Sequence, residues 1–598
     1  MADIKRLFKS IVADGLNSVI EEIAPDVEKV QADSIQVVTP PNQEMGDIGS
    51  PLFAYAKILH TSPQKISEMV CEKIGVNSLG EFIVAGPYIN VRLEKSSASL
   101  TILKAISNER ENYGSLNFEG NSPLAGRRVM VEFSSPNTNK PLHLGHLRND
   151  ALGESVSRIL KKAGAEVFKV DLINNRGVHI CKSMLAYKLF HEANGDTPES
   201  LGMKGDHFVG QCYVEFDKYA KEHIDAVKEA EEMLVKWEAG DEEVRALWEK
   251  MNKWTLDGIK STYARTGITF DKFYFESETY LKGKDEILRG LEQGVFFKAD
   301  DGSVRIDVTD VVGKGKDEDS HEKVLLRKDG TSVYITQDIG TAISRYNDWA
   351  FNQIVYVVAS EQNYHFKILF HILKKLGFDW ADNLYHLSYG LVNLPSGRMK
   401  SREGTVVDAD DMLNSLHADA IKAIEERGRD GEVPVDDVAE KVALSAVHYY
   451  LLNVAPSKDM LFNPEESLSF NGNTGPYLQY MGARICSILK KARSAGIERA
   501  TPEVAAKNLS SPEEWTLIKM LGDFPEAVLR AAENFDPSIM ASYIYELSKD
   551  FSKFYQQRPI VSAETMELSS ARLLLAECTL TVLKEAMNLV LVPFLEKM

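Results

Sequence analysis

RRVMVEF (127–133), SSPNTNKPLHLGHLRND (134–150), ALGESVSRILKKAG (151–164) and AEVFKVDLI (165–173) follow one another without a break. The first alternates apolar residues as a short strand does, the third has helical apolar spacing, and the fourth reads as a strand again. Strand, turn, helix, strand is a βαβ unit, the start of a parallel sheet. The second segment is the turn that ends one strand and delivers the helix. The first N–H groups of a helix are unpaired and its dipole adds partial positive charge, so this turn is an anion site. In an open α/β sheet such a crevice is where ligands bind. Gly145 leaves backbone open to a nucleotide. His143 and His146, three apart, share one side of the first helical turn and can both donate to phosphate oxygens. The bland alternative is a turn with solvated histidines; zinc fits less well, because no cysteine or acid ligands are arranged around the pair.

Working outward, 598 residues are too many for one core, and two to four domains are expected. Residues 1–115 read as an α+β unit, with helices near 2–23, 50–60 and 63–74 and strands near 34–39 and 81–93. SNERENYGSLNFEGNSPLAG (107–126) is a polar connector. Residues 120–435 carry the βαβ pattern, which is expected to resume with KVLLRKDGTSVYIT (323–336), QIVYVVAS (353–360) and YHLSYGLVNL (385–394). A helical, acid-rich insertion lies near 190–265, its charge run read as a solvated face. Residues 436–598 are helical throughout and read as an all-α bundle. The expected class is therefore multidomain α/β, with an α+β unit before the parallel sheet and a bundle after it.

Composition narrows the function. No segment approaches twenty unbroken apolar residues, so no membrane span is expected. The first thirty residues alternate apolar and charged positions and fit neither a secretory signal nor a transit peptide. Five scattered cysteines without a CxxC argue for reduced thiols in a cytoplasm and against structural zinc. The formal net charge of −19 argues against a general nucleic-acid binder, though not against an enzyme that gathers its basic residues on one face.

The HLGH at 143–146 resembles the "HIGH" signature of class I aminoacyl-tRNA synthetases. The surrounding VEFSSPNTNKPLHLGHLRND (131–150) resembles the arginyl-tRNA synthetase version in particular. YITQD (334–338) resembles that family's YxTRD, with Gln337 in place of Arg. VYVVASEQNYHF (355–366) and TGPYLQYMGAR (474–484) match further family segments in the same order along the chain. The resemblance implies a Rossmann-type catalytic domain with a tRNA-elbow domain before it and an anticodon-binding bundle after it. It also implies activation of L-arginine by ATP with Mg²⁺, then transfer to tRNA(Arg), by a monomer without a tightly held protein-ligated metal.

The same resemblance assigns residues. Glu132 and Asp338 would hold the guanidinium, for which bidentate carboxylates are the best partners. Tyr334 would wall the pocket, Ser134 would line the arginine site, and Asn137 and Gln362 would hold the amino acid's α-amino and carboxylate end. His143, Gly145, His146, His365 and Met399 would meet ATP. Tyr477, Tyr480 and Arg484 share a helix face suited to unstacked bases, and packing into the bundle core is the alternative. Asn90 is read either as a contact to the tRNA D-loop or as a structural residue.

One segment departs from the pattern. Class I enzymes carry a second signature, KMSKS, whose second lysine meets the ATP phosphates. In GRMKSREGTVVDADD (397–411) that position is Ser401. Lys140, three residues before His143, is the expected replacement, assisted by Lys400 or Arg402. Rival readings are a class I synthetase for another amino acid, a small-molecule nucleotidyltransferase, and a synthetase-derived binding protein without catalysis. SSPN and the Tyr334/Asp338 pair weigh against the first, the length and helical C-terminal part against the second, and the intact turn against the third.

Overall fold

The computed structural model of the chain describes residues 2–116, 122–313, 321–395, 407–426 and 434–598. Helix α1 (Ala2–Ile23) turns Phe8, Val12, Leu16 and Val19 inward at helical spacing, all 0% exposed, and packs on α2 (Pro63–Ile74). Three antiparallel strands, β1 (Ile48–Pro51), β2 (Gly80–Ala85) and β3 (Tyr88–Leu93), complete this unit in the order β1–β3–β2. The stretch 50–60, expected to be helical, holds only a 3₁₀ turn at Phe53–Tyr55. The strand expected at 34–39 reduces to one bridge, Val38 to Gly49. Pro40 and Pro41 follow it and can donate nothing to a ladder. Helix α3 (Lys95–Glu109) leads out of the unit.

The main sheet has five strands, all parallel. Its first half is β4 (Arg128–Glu132), α4 (Leu144–Lys162), β5 (Glu166–Ile173) and β6 (Lys272–Phe275). Between β5 and β6 lies the insertion, mainly α5 (Val178–Phe190), α6 (Gly205–Glu222), α7 (Ala226–Glu238) and α8 (Glu242–Thr266). A separate antiparallel sheet follows, β7 (Phe297–Lys298), β8 (Val304–Asp307) and β9 (Glu322–Leu326). Helix α9 (Tyr334–Asp348) then leads to β10 (Gln353–Ala359), α10 (Asn363–Lys375) and β11 (Leu384–Tyr389). The sheet order is β11–β10–β4–β5–β6, so the chain reverses direction between β4 and β10. The crevice outside the carboxyl ends of these two strands is the switch point of the sheet.

The segment 323–336 is therefore not part of the main sheet. Gly330, at φ +77°, and Asp329, which accepts the Thr331 N–H at 3.0 Å, turn the chain after β9, and Tyr334–Thr336 open a helix. The fifth strand of the main sheet is β6, four residues long.

Past the sheet, α11 (Ala409–Glu425), α12 (Val435–Leu452), α13 (Gly475–Ser494) and α14 (Met566–Leu589) belong to a largely helical remainder. A single apolar cluster runs from Ile4 through α4 to Val592. Helix α4 is its centre: Leu144, Leu147, Ala151, Leu152, Val156, Ile159 and Leu160 are at most 2% exposed. Each such leucine or isoleucine contributes about 1.5–3 kcal/mol by leaving water. Polar ties add direction to that burial. Arg148, 0% exposed, donates to Pro456 O at 3.1 Å and Lys458 O at 2.8 Å, and the Ser155 hydroxyl donates to Leu589 O at 2.6 Å.

Candidate active site

Strand β4 ends in a strained turn. Ser134 and Ser135 both have left-handed backbones, at φ +72° and +51°, a conformation that costs a non-glycine residue roughly 1–2 kcal/mol. The turn is over-determined by hydrogen bonds that hold it there. Ser134 N–H donates to Asn149 Oδ1 at 2.5 Å, Ser135 N–H to Asp171 Oδ1 at 2.9 Å, and Asn174 Nδ2 to Ser135 O at 3.0 Å. The Ser134 hydroxyl lies 2.6 Å from Tyr263 OH, itself a donor to Asp171 at 3.0 Å. Ser134, expected to line the arginine site, is 5% exposed, does not line the cavity described next, and helps to hold this turn.

A cavity of about 770 Å³, within the usual size for a ligand site, opens beyond the carboxyl ends of β4, β5 and β6. It brings together Asn137, Lys140, His143, Tyr334 and Asp338 from segments nearly two hundred residues apart in the chain. At one end stands the turn before α4. His143 is the N-cap of the helix, and its Nδ1 accepts the Gly145 N–H at 3.1 Å. His146 Nδ1 in turn accepts the His143 N–H at 3.1 Å. An Nδ1 that accepts carries no proton, so both neutral rings keep theirs on Nε2. Burial, with the charge of Lys140 as a lesser cause, lowers His143 to about 4. Burial first, then His143 and Lys140, takes His146 well below the ordinary histidine value.

Gly145 serves this ring before it serves any ligand. A Cβ there would lie 2.9 Å from His143 Cε1, so the glycine is the seat on which the imidazole rests. The next strand end repeats the device. Gly177, at φ +128°, precedes α5, and a Cβ on it would lie 2.9 Å from the His179 ring. His179 also lines the cavity, lowered to about 4 mainly by burial. Lys140 is half-buried, its pKa lowered by burial, and makes no hydrogen bond or ion pair among the described residues.

The other end is acidic. Asp338, on the first turns of α9, holds His365 Nε2 at 2.6 Å, so His365 belongs to this end rather than to the phosphate end expected for it. Tyr334 stands at the mouth, 77% exposed. Glu276, just past β6, faces the cavity at 9% exposure; burial first, opposed by Arg176 and aided by Asp338, pushes its carboxyl up to about 7. Glu132, expected here, is instead 5% exposed and ion-paired with the buried Arg345, outside the cavity lining. A buried guanidinium needs a carboxylate partner, and Glu132 is the one that Arg345 has. Gln362 is exposed at the start of α10 and does not line the cavity either.

The sequence reading missed Glu276, His179, Asn139 and the wall contributed by α6. Asn139, 3% exposed, leaves Oδ1 without a partner at the lining. His207, Gly210, Gln211, Tyr213 and Val214 make one side of the cavity, so the insertion is more than a solvated face. Gly210 admits this helix: a Cβ there would meet Pro141 Cδ at 2.8 Å. The Gly-x-His before α5 was the available signal for His179; nothing marked Glu276.

Away from the cavity, Asn90 is 3% exposed and donates to Met45 O at 2.8 Å, a structural placement that gives the side chain no surface for RNA. On α13, Tyr480 is 44% exposed, Tyr477 is half-buried against Tyr545, and the Arg484 guanidinium lies 5.0 Å from the Tyr555 ring centre. Met399, Lys400, Ser401 and Arg402 lie outside the described residues.

Comparison with known proteins agrees with this arrangement. The family model "tRNA synthetases class I (R), catalytic domain" matches residues 118–463, "Arginyl tRNA synthetase N terminal domain" matches 8–93, and "DALR anticodon binding domain" matches 478–598. An "Arginine--tRNA ligase" of Treponema denticola is 57% identical, and one of Treponema pallidum 50% identical, each covering 100% of both chains. Among solved structures, the arginyl-tRNA synthetase of Thermus thermophilus superposes with a TM-score of 0.80 at 26% identity, over 99% of this chain and 100% of that one.

Proposed function

The chain belongs to the arginyl-tRNA synthetases of class I, and on that premise we propose how its cavity carries out their two-step reaction. The arginine carboxylate attacks the α-phosphorus of ATP; the bond to the β-phosphate oxygen breaks, and arginyl-adenylate and pyrophosphate form. A terminal ribose hydroxyl of tRNA(Arg) then takes the arginyl group and AMP leaves. The attacking carboxylate is already ionised, so the first step needs positioning and charge stabilisation rather than a base.

The observation that carries the reading is one cavity, beyond the carboxyl ends of the parallel strands, with phosphate donors at one end and two carboxylates at the other. At the first end the Nε2–H of His143 and the Lys140 ammonium would meet the ATP phosphates, His146 supporting His143 from behind. Mg²⁺ would arrive on those phosphates. Asn139 Oδ1 lines this end without a hydrogen bond while Asp408 already faces His207, so the lining has few oxygen donors to spare, which suits a metal held chiefly by nucleotide. At the other end Asp338 and Glu276 would clamp the guanidinium, with Tyr334 closing over it and Asn137 at the amino-acid end. Lys140 takes over the task of the missing KMSKS lysine in this reading, with Lys400 and Arg402 as its helpers.

We also read residues 1–115 as the tRNA-elbow domain, 120–435 as catalytic and 436–598 as anticodon-binding, in a protein that acts as a monomer in the cytoplasm. No described helix is long and apolar enough to cross a membrane. Tyr480, exposed on α13, is the best placed of the proposed base contacts. The test is arginine-dependent ATP–pyrophosphate exchange, with and without tRNA. Exchange with arginine alone among the amino acids is expected; exchange with another amino acid, or none even with tRNA(Arg), overturns the reading.

A further inference from the structure

The signature turn has a second partner besides α4. Residues 407–409 run antiparallel to it: Asp408 forms a bridge with His143, Leu144 N–H donates to Val407 O at 3.1 Å, and Ala409 N–H donates to Leu142 O at 3.0 Å. Asp408 also caps α11, its Oδ1 accepting the N–H groups of Asp410 at 2.8 Å and Asp411 at 3.1 Å. The insertion reaches this same segment. His207, on the first turn of α6, places Nε2 3.2 Å from Asp410 Oδ2 and 3.5 Å from Asp408 Oδ2. Lys204 joins it, with Nζ 2.6 Å from Asp410 Oδ2, 3.1 Å from Asp206 Oδ2 and 2.5 Å from Thr262 Oγ1. The insertion thus grips 407–410 from one side while the signature turn pairs with it from the other.

We propose that His207 is a positioning residue for adenylate formation, holding the 407–410 segment against the signature turn through Asp408 and Asp410 and so fixing the ring of His143. This rests on the reading of the cavity given above. The grip is strongest with the imidazolium, whose charge adds to the Nε2–H bond that a neutral ring also makes to Asp410. The groups that face His207 are Asp206 and Lys204 beside it, Asp408 and Asp410 from α11 and its cap, and Lys140 across the cavity. The hydrogen bond to Asp410, opposed by burial and aided by Asp408 and Asp206, raises the His207 pKa. A raised histidine is charged below its folded-state pKa and loses its charge as pH rises through it. The grip therefore weakens on the alkaline side, and the turnover number falls with it.

The test is pyrophosphate exchange by the full chain with arginine varied up to saturation at saturating ATP, across pH 6–9, for wild type, His207→Gln, His207→Arg, Asp410→Asn and the double variant His207→Gln/Asp410→Asn. Wild type should lose turnover above its histidine transition. His207→Gln should be slower by about 10- to 100-fold at neutral pH, the order expected when a reacting group is misplaced by about an ångström, with the arginine KM nearly unchanged. His207→Arg keeps a cation that does not titrate, so it should recover most of the rate and lose the alkaline fall. The double variant His207→Gln/Asp410→Asn should be no slower than the slower single one, as for two members of one contact. An unaltered alkaline fall in His207→Arg, or His207→Gln within twofold of wild type at every pH, overturns the proposal. Should His207→Gln fail to fold, the profiles of wild type and His207→Arg decide. Absence of arginine-dependent exchange in the wild type would instead count against the reading of the cavity.

Discussion

The two ends of the cavity are made of the same parts, strand ends and the first turns of helices, yet burial has opposite consequences in them. Around the signature turn it strips protons from His143, His146 and His179, and the rings become neutral donors with Lys140 as the cation among them. Beside α9 it adds a proton, leaving Glu276 half-protonated near pH 7. Desolvation favours the uncharged form in both cases. For a phosphate that is harmless, since an Nε2–H donates whether or not its ring is charged. For a guanidinium it is costly, since a neutral acid binds a cation poorly. In the proposed clamp the incoming arginine itself ionises Glu276, so its binding near pH 7 would be coupled to proton release.

The sharpest way to break this contrast is at its cation. Lys140→Ala should slow adenylation by about 100- to 1,000-fold, the usual loss for a charge-stabilising donor, with little change in melting temperature. A near-normal rate would mean that the histidines and the helix dipole suffice. At the acidic end Asp338→Asn should raise the arginine KM about 100-fold, since a guanidinium that loses one carboxylate remains desolvated. Glu276→Gln should weaken arginine by about tenfold, one charge-assisted hydrogen bond's worth, above neutral pH. It should also abolish the tightening that wild type shows as pH rises through about 7, where Glu276 ionises. Calorimetric titration in buffers of different ionisation enthalpy checks the proton release directly; equal heats in all of them would remove the contrast. The smallest effect belongs to the scaffold. Ser135→Gly relieves a left-handed backbone and should stabilise the fold by at most about 1 kcal/mol while leaving activity within twofold, measured by denaturant midpoint.

The phosphate end was legible because its residues are contiguous: strand, turn and helix lie within some thirty positions, and periodicity finds them. Even there the contact between Gly145 and the His143 ring, two residues away, carried no signal in the sequence. The acidic end was half legible. Tyr334 and Asp338 share a helix start, but β6 is four residues long, too short for alternation to register, so the acid that follows it carried no signal. Glu132 was expected at the guanidinium; its partner Arg345 lies on α9, and no local pattern announces a pairing over that distance. The α6 wall was hidden for another reason: the insertion's charges are real and exposed, and a sequence does not say that the other face of one helix looks into a cavity.

The ties on α4 have a consequence for how the chain is made. Leu589, the acceptor of the Ser155 hydroxyl, is 434 residues downstream. At 5–20 residues per second the ribosome needs roughly 20–90 s to reach it. Throughout that interval the helix that presents the signature histidines has emerged without its last tether, and Arg148 waits for Pro456 and Lys458, 308 and 310 residues downstream of it. A nascent chain that stops short of Leu589 has every proposed catalytic group already synthesised and still lacks this last tether.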